Sequence, residues 1–230
     1  MTIFEFLSVA ASIVLALGLG KLISSIPYVF DADKRDWLHA LAFVTLIAGH
    51  ILAWWRIWPL NSVAHWNILG FAILMGTPMS LYLAATALVS SNPDQVASWK
   101  EHFSERSRWL FSALIAVWVF GILRSYVLLN LTPAWWSLLM LGAFVVAAIS
   151  SRRNIHIVVL SMVLLVFAVL IFRGFDADQN LISQRSYPHF TAADPPPNKS
   201  QHWPLTTRCR HSVFHEPYFI KMADNWRSIT

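Results

Sequence analysis

The chain has few of the residues that a soluble domain needs on its surface. Charged residues make up 13% of its 230 residues, while hydrophobic residues make up 57%. This leaves too little polar surface to solvate a globular domain of this length. There is a single cysteine, Cys209, which excludes an internal disulfide and carries no information on the redox compartment. The composition therefore favours a membrane protein.

Known catalytic motifs are also missing from the apolar part of the sequence. It contains no H-E-x-x-H zinc motif, no G-x-S-x-G elbow, no paired intramembrane aspartates and no glycine-rich phosphate loop. We therefore expect no enzymatic activity, no catalytic residues, no bound metal and no cofactor. The net charge of +5 is spread along the chain, which argues against a nucleic-acid partner.

What the sequence does contain is six long apolar stretches within residues 1–174. A transmembrane helix needs about 20 mainly apolar residues to cross about 30 Å of hydrocarbon, and helices satisfy their backbone polar groups internally. The predicted fold class is all-α, with a polytopic domain of six transmembrane helices at 1–174. The first stretch lacks the basic start and the cleavage site of a signal peptide, so we expect it to be retained. The predicted spans are 3–28, 38–58, 66–89, 109–130, 134–150 and 155–173.

The positions of the cations predict the orientation of these spans. Lysine and arginine occur in the first, third and fifth connections and are absent from the second and fourth. Cytoplasmic loops carry an excess of these residues, so both termini are expected outside a bacterial inner (plasma) membrane. The cations concerned are Lys34, Arg35, Lys100, Arg106, Arg108, Arg152 and Arg153.

Residues 175–230 differ from the apolar domain. They are polar, contain several prolines and have neither helical nor strand periodicity, which predicts a disordered tail. His202, Cys209, His211 and His215 are zinc-type ligands, but their spacing matches no standard zinc motif. We predict no metal site there.

The first predicted helix carries small residues at intervals of four: Ser8, Ser12, Ala16 and Gly20. This spacing places them on one face, where small side chains let another helix approach closely. We predict a helix-packing seam, which suggests a homo-oligomer or a membrane-protein partner in addition to the lipid bilayer. The alternative is that the serines face a polar cavity.

Ionisable groups inside the spans are the best clue to function, because a charge in hydrocarbon costs at least about 2.5–3.5 kcal/mol. Arg56 and Arg124 come at similar predicted depth near the outer leaflet, and Glu5 is the carboxylate predicted in that zone. One hypothesis pairs Glu5 with one arginine and leaves the other to hold an anion, a lipid headgroup or a substrate carboxylate. The alternative is that both arginines extend to outer lipid phosphates.

Two further features lie within the spans. His50 is near mid-span and is expected to be a buried hydrogen-bonding residue that supports helix association. Together with His39 and His156 it also raises the option of a haem, because a membrane haem needs paired imidazoles on facing helices. Gly76 and Pro78 predict a bend in the third helix, a feature that would suit a carrier.

The opening MTIFEFLSV (1–9), followed by SIVLALG (12–18), resembles uncharacterised small multi-pass bacterial inner-membrane proteins. The resemblance implies a location without an activity, and it carries over no site residue. We interpret the chain as a non-enzymatic membrane module that assembles with itself or with a partner. The alternatives are a small-solute or ion transporter that uses the outer arginines and, third, a membrane haem or redox protein.

Overall fold

The structure is a computed structural model that describes residues 2–63, 65–133 and 135–186, with side chains described as far as 170 except for residue 62. Over these residues the chain forms seven α-helices and no strand, which confirms the all-α prediction. The helices are α1 Ile3–Ser24, α2 Ile26–Val29, α3 Trp37–Trp55, α4 Ile68–Leu88, α5 Trp99–Leu123, α6 Trp135–Ile149 and α7 Arg153–Ser186. Two 3₁₀ turns, Trp58–Ser62 and Pro93–Gln95, and a π-helical turn, Arg124–Leu128, complete the described structure.

Five helical segments are long and apolar enough to cross a membrane, and they mark the chain as a membrane protein. They are Ile3–Ser24, Trp37–Asn61, Ile68–Gln95, Trp99–Leu128 and Arg153–Leu170. The fifth predicted span, 134–150, coincides with α6, which has 15 residues and is therefore about 22 Å long, shorter than the hydrocarbon layer. Each predicted span thus contains a helix, but five of the six have the length of a crossing.

Side-chain caps fix where three of the helices begin. Thr2 Oγ1 accepts a hydrogen bond from the Glu5 amide (3.2 Å), and the Glu5 carboxylate accepts one from the Thr2 amide (2.8 Å), which closes a capping box on α1. Asp36 Oδ2 accepts from the His39 amide (3.1 Å) at the start of α3, and Asn67 caps α4 in the same way. The caps satisfy amides that would otherwise lack partners.

Two glycines allow helices to cross at close range. A Cβ atom on Gly18 of α1 would overlap the His50 ring of α3, and a Cβ atom on Gly76 of α4 would overlap the Phe120 ring of α5. Helix α4 contacts α1, α3 and α5 and is the most buried of the long helices. It runs unbroken through Pro78, which lies inside it. The core of residues 1–169 is therefore built around α4.

An ion pair joins the first turns of α3 and α7. Arg153 Nη2 lies 2.5 Å from Asp36 Oδ1, and the guanidinium group lies over the Trp37 ring, 5.7 Å from its centroid. The carboxylate that caps α3 therefore also holds α7.

The chain divides into two compact units, 1–169 and 170–230. The described part of the second unit is the end of α7, which continues to Ser186. Residues 175–186, which we assigned to a disordered tail, are therefore helical; this stretch contains no proline before Pro188, so nothing interrupts the helix. The predictions for the rest of the tail, Cys209 included, lie outside the described residues.

Candidate functional site

Arg124 is buried at the start of the π-helical turn that ends α5. Its side chain is 4% exposed. The turn, Arg124–Leu128, is followed by Asn130 with a φ of 51°, and the Leu131 amide donates to the Ser125 carbonyl at 2.9 Å. Single π turns inside α-helices are rare and occur frequently at functional sites. The local backbone thus sets a charged side chain inside an otherwise apolar bundle.

Arg56 lies at the end of α3. It is the C-cap of α3, where its amide donates to the Leu52 carbonyl at 3.0 Å, and its side chain is half-buried. The two guanidinium groups are close enough for their charges to repel each other. The ends of α3 and α5 therefore bring both predicted arginines into one site.

The ion pair between Asp36 and Arg153 involves neither of these guanidinium groups. An uncompensated buried charge costs about 3–5 kcal/mol, and a second cation nearby adds repulsion. An anion between the two groups would remove both costs. Chemically, the site is suited to a phosphate or carboxylate, whose oxygens accept paired N–H groups from arginine.

Glu5, the predicted partner of one arginine, lies at the start of α1. Its carboxylate accepts the hydrogen bond of the Thr2 amide that closes the capping box. The pairing of Glu5 with Arg56 or Arg124 stays a prediction.

The predicted packing residues of α1 fall into two pairs. Ser8 and Ser12 are half-buried, and Ser12 Oγ accepts a hydrogen bond from Trp54 Nε1 at 3.1 Å; Ala16 and Gly20 are exposed. The face of α1 that is buried against this chain is lined by Leu7, Ala11, Leu15, Gly18 and Leu22. The predicted seam therefore lies beside this face, with its second half open on the surface of the molecule.

His50 lies at the crossing of α1 and α3. It is 2% exposed, its Nδ1 donates to the Leu46 carbonyl at 2.8 Å, and its Nε2 points at Gly18 without a hydrogen-bond partner. His156 is also engaged, since its Nε2 lies 3.0 Å from each of two backbone carbonyls. Gly18 lies against His50 Nε2, and two carbonyls lie against His156 Nε2; a haem between these histidines stays a prediction.

The sequence analysis missed a histidine at the other end of the bundle. His102 was assigned to a connection, but it lies in α5, where its ring stands 6.2 Å from that of His39 and 5.6 Å from that of Trp99. Its spacing of three residues from Trp99 on one helical face was the clue that could have revealed it. Beside it lies a cavity of about 430 Å³ with a mainly polar lining. The cavity is lined by Thr86, Val89, Ser90, Ser91, Asn92, Gln95, Val96, His102 and Arg106.

No protein-family model matches the chain, and comparison with curated proteins and with solved structures gives no significant match.

Proposed function

We propose that this chain is a non-enzymatic, multi-pass protein of a bacterial inner membrane that holds an anionic group between Arg56 and Arg124. The observation that carries the proposal is the mutual repulsion of two guanidinium groups, one enclosed and one half-buried, at the ends of α3 and α5. The π-helical turn at Arg124 supports it, because such turns are frequent where a functional side chain is positioned.

The proposed topology has six crossings, with both termini outside. It rests on the cations, which fall in alternate connections. Helix α6 serves as the fifth of these crossings, since a short apolar helix is accommodated by local thinning of the bilayer. Exposed tryptophans near the arginine site are typical of an aromatic belt at the outer interface. They are Trp54, Trp55, Trp58 and Trp135.

The anion reaches the site from the side of Arg56. That side chain is half-buried, while Arg124 is almost wholly enclosed. A phospholipid headgroup from the outer leaflet and a small solute with a phosphate or carboxylate share the required chemistry. If the anion is a phospholipid headgroup, the chain is a lipid-holding module. If the anion is a small solute, the chain is a carrier.

The test compares Arg56→Gln and Arg124→Gln with Arg108→Gln, which removes an exposed cation from the same helix as Arg124. Purified proteins in detergent are delipidated, and the bound phospholipid is counted by native mass spectrometry. Thermal stability is then measured with and without phosphate and benzoate. We expect the wild type and Arg108→Gln to retain lipid or to be stabilised by the anions, and the two site variants to do neither.

The outcomes separate the two ligand sources. Retained phospholipid that is lost in the site variants identifies a headgroup, whereas stabilisation by free anions alone identifies a solute. Equal lipid content and equal melting temperatures in all four proteins would refute the proposal.

A second candidate function, assembly with a copy of this chain or with a membrane partner, is favoured by the open half of the α1 seam. Ala16 and Gly20 are exposed, and no atom lies within 4 Å of a Cβ placed on Gly20. The resemblance to small inner-membrane proteins belongs to this proposal as well. We expect Gly20→Leu to shift an oligomer to monomer by native mass spectrometry while the helix content stays the same. A mass unaffected by Gly20→Leu would remove this candidate.

A further inference from the structure

Three ring nitrogens with no hydrogen-bond partner lie close together at the end of the bundle away from the arginine site. They are both nitrogens of His39 and Nε2 of His102, and all three are buried. The His39 side chain is 0% exposed. A buried polar atom left without a partner costs about 1–3 kcal/mol, so three of them in one place indicate a missing ligand, an ion or a water.

The distance between the two rings suits a shared metal ion. Their centroids are 6.2 Å apart and their planes are inclined by 37°. Imidazole nitrogens bind zinc at about 2.0–2.1 Å, which places the centroids of two rings on one ion about 5–6.5 Å apart. Trp99 packs against both rings, with its centroid 4.6 Å from that of His39 and 5.6 Å from that of His102. The indole closes one side of the space to water.

Charges of both signs lie around the pair. Asp36, which is paired with Arg153, acts on His39, and Arg106 and Glu105 act on His102. His102 also borders the cavity of about 430 Å³ with its mainly polar lining. The described residues hold no group of three or more histidine, cysteine, aspartate or glutamate side chains placed for a metal, so this site has two protein ligands.

We propose that His39 and His102 together bind one first-row transition-metal ion of the Zn²⁺ type, with water completing its coordination. Imidazole suits such ions better than it suits Mg²⁺ or Ca²⁺. The inference is independent of the arginine site, because it concerns other residues and another class of ligand.

The experiment measures Zn²⁺ binding to the full chain in lipid nanodiscs, purified with a tag that contains no histidine. Equilibrium dialysis and elemental analysis give the number of ions bound by the wild type, His39→Gln, His102→Gln and the control His65→Gln, whose side chain is exposed. The tail histidines and Cys209 are present in all four proteins, so their contribution is a common background.

We expect the wild type and His65→Gln to bind one more Zn²⁺ per chain than the other two variants. The loss in affinity should be at least about tenfold, since loss of an outer-shell partner alone costs that much. Zn²⁺ should also raise the melting temperature of the wild type and of His65→Gln but not of His102→Gln.

Equal Zn²⁺ binding and equal thermal response in all four proteins would overturn the proposal and assign the three nitrogens to an ordered water. If His39→Gln does not fold, His102→Gln decides the outcome by itself, since its side chain is half-buried and tolerates a polar replacement.

Discussion

At the scale of single residues, Gly18 has very little room for a side chain. Its Cα faces the His50 ring, and the backbone of Tyr82 lies 3.4 Å from the place of a Cβ. The ring is held by the bond from Nδ1 to Leu46, so it cannot move aside without losing that bond. Any side chain at Gly18 must therefore separate α1 from α3 and α4.

We predict that Gly18→Ala lowers the free energy of unfolding by about 1–3 kcal/mol, the usual cost of overpacking a core. Gly20→Ala is the matched control, because it lies on the same helix with nothing within 4 Å. Thermal melts of the two variants in detergent provide the measurement. Equal melting temperatures for Gly18→Ala and Gly20→Ala would contradict the close contact between α1 and His50.

Asp36 has two roles that substitutions can separate. Its Oδ2 caps α3 and its Oδ1 binds Arg153. Asparagine keeps a capping oxygen, so Asp36→Asn should lose the ion pair alone, at about 1 kcal/mol. Asp36→Ala should lower the free energy of unfolding by about 1 kcal/mol more, because it also removes the cap of α3. A double-mutant cycle with Arg153→Gln in chemical unfolding measures the pair, and a coupling energy of zero would contradict it.

The sequence singles out residues whose presence in hydrocarbon is exceptional. Arg56 and Arg124 stood out because charge is rare inside spans, and the structure brings them together. Asp36 and Arg153 did not stand out, because each lies at a polar helix end and they are 117 residues apart. A pair of that kind depends on tertiary packing, which no local pattern encodes.

At the scale of helices, the crossing of α4 and α5 depends on Gly76. A Cβ atom added to Gly76 would overlap three atoms of the Phe120 ring. We predict that Gly76→Ala destabilises the protein by about 1–3 kcal/mol and that adding Phe120→Ala costs less than it does in the wild type, because the two sites are coupled.

Gly121→Ala serves as the control for this crossing, since it alters the next residue of α5 at a place with open space. Melting temperatures of the single and double variants form the cycle. Strictly additive effects would show that Gly76 and Phe120 do not meet.

Helix positions were predictable from hydropathy, and a surface helix was expected to lead into the fourth span, but the π-helical turn was not predictable. Helix α5 begins at Trp99, ahead of the predicted 109, because its first turns bury Trp99, Phe103 and Ser107 at intervals of four while charged residues face outwards. A test for continuous apolar sequence overlooks such an amphipathic start. The π-helical turn had no sequence signature either, since it differs from α-helix by one residue in register.

At the scale of the whole molecule, labelling of the single cysteine can show how many times the chain crosses the membrane. With the N-terminus outside, six crossings place Cys209 outside and five place it inside. We expect a membrane-impermeant maleimide to label Cys209 in spheroplasts, whose outer membrane and cell wall have been removed and whose inner membrane is intact. In a Cys209→Ser background, Asn61→Cys should be labelled and Asn92→Cys protected, because they lie in the second and third connections.

The reverse pattern for Asn61→Cys and Asn92→Cys would invert the whole topology. Protection of Cys209 together with the expected pattern at the other two positions would show that α6 does not cross. Labelling in permeabilised cells verifies that each cysteine is reactive.

The contact between Trp118 and Ser137 bears on how the chain is built into a bilayer during synthesis. The indole of α5 donates to a carbonyl in the first turn of α6 at 2.7 Å, and Phe111 packs against Phe144. Helix α6 is too short to be held firmly by its own apolar length. We therefore expect α6 to insert as the second arm of a hairpin that α5 leads, and a nascent chain that ends before Trp135 to leave the Trp118 N–H without its acceptor.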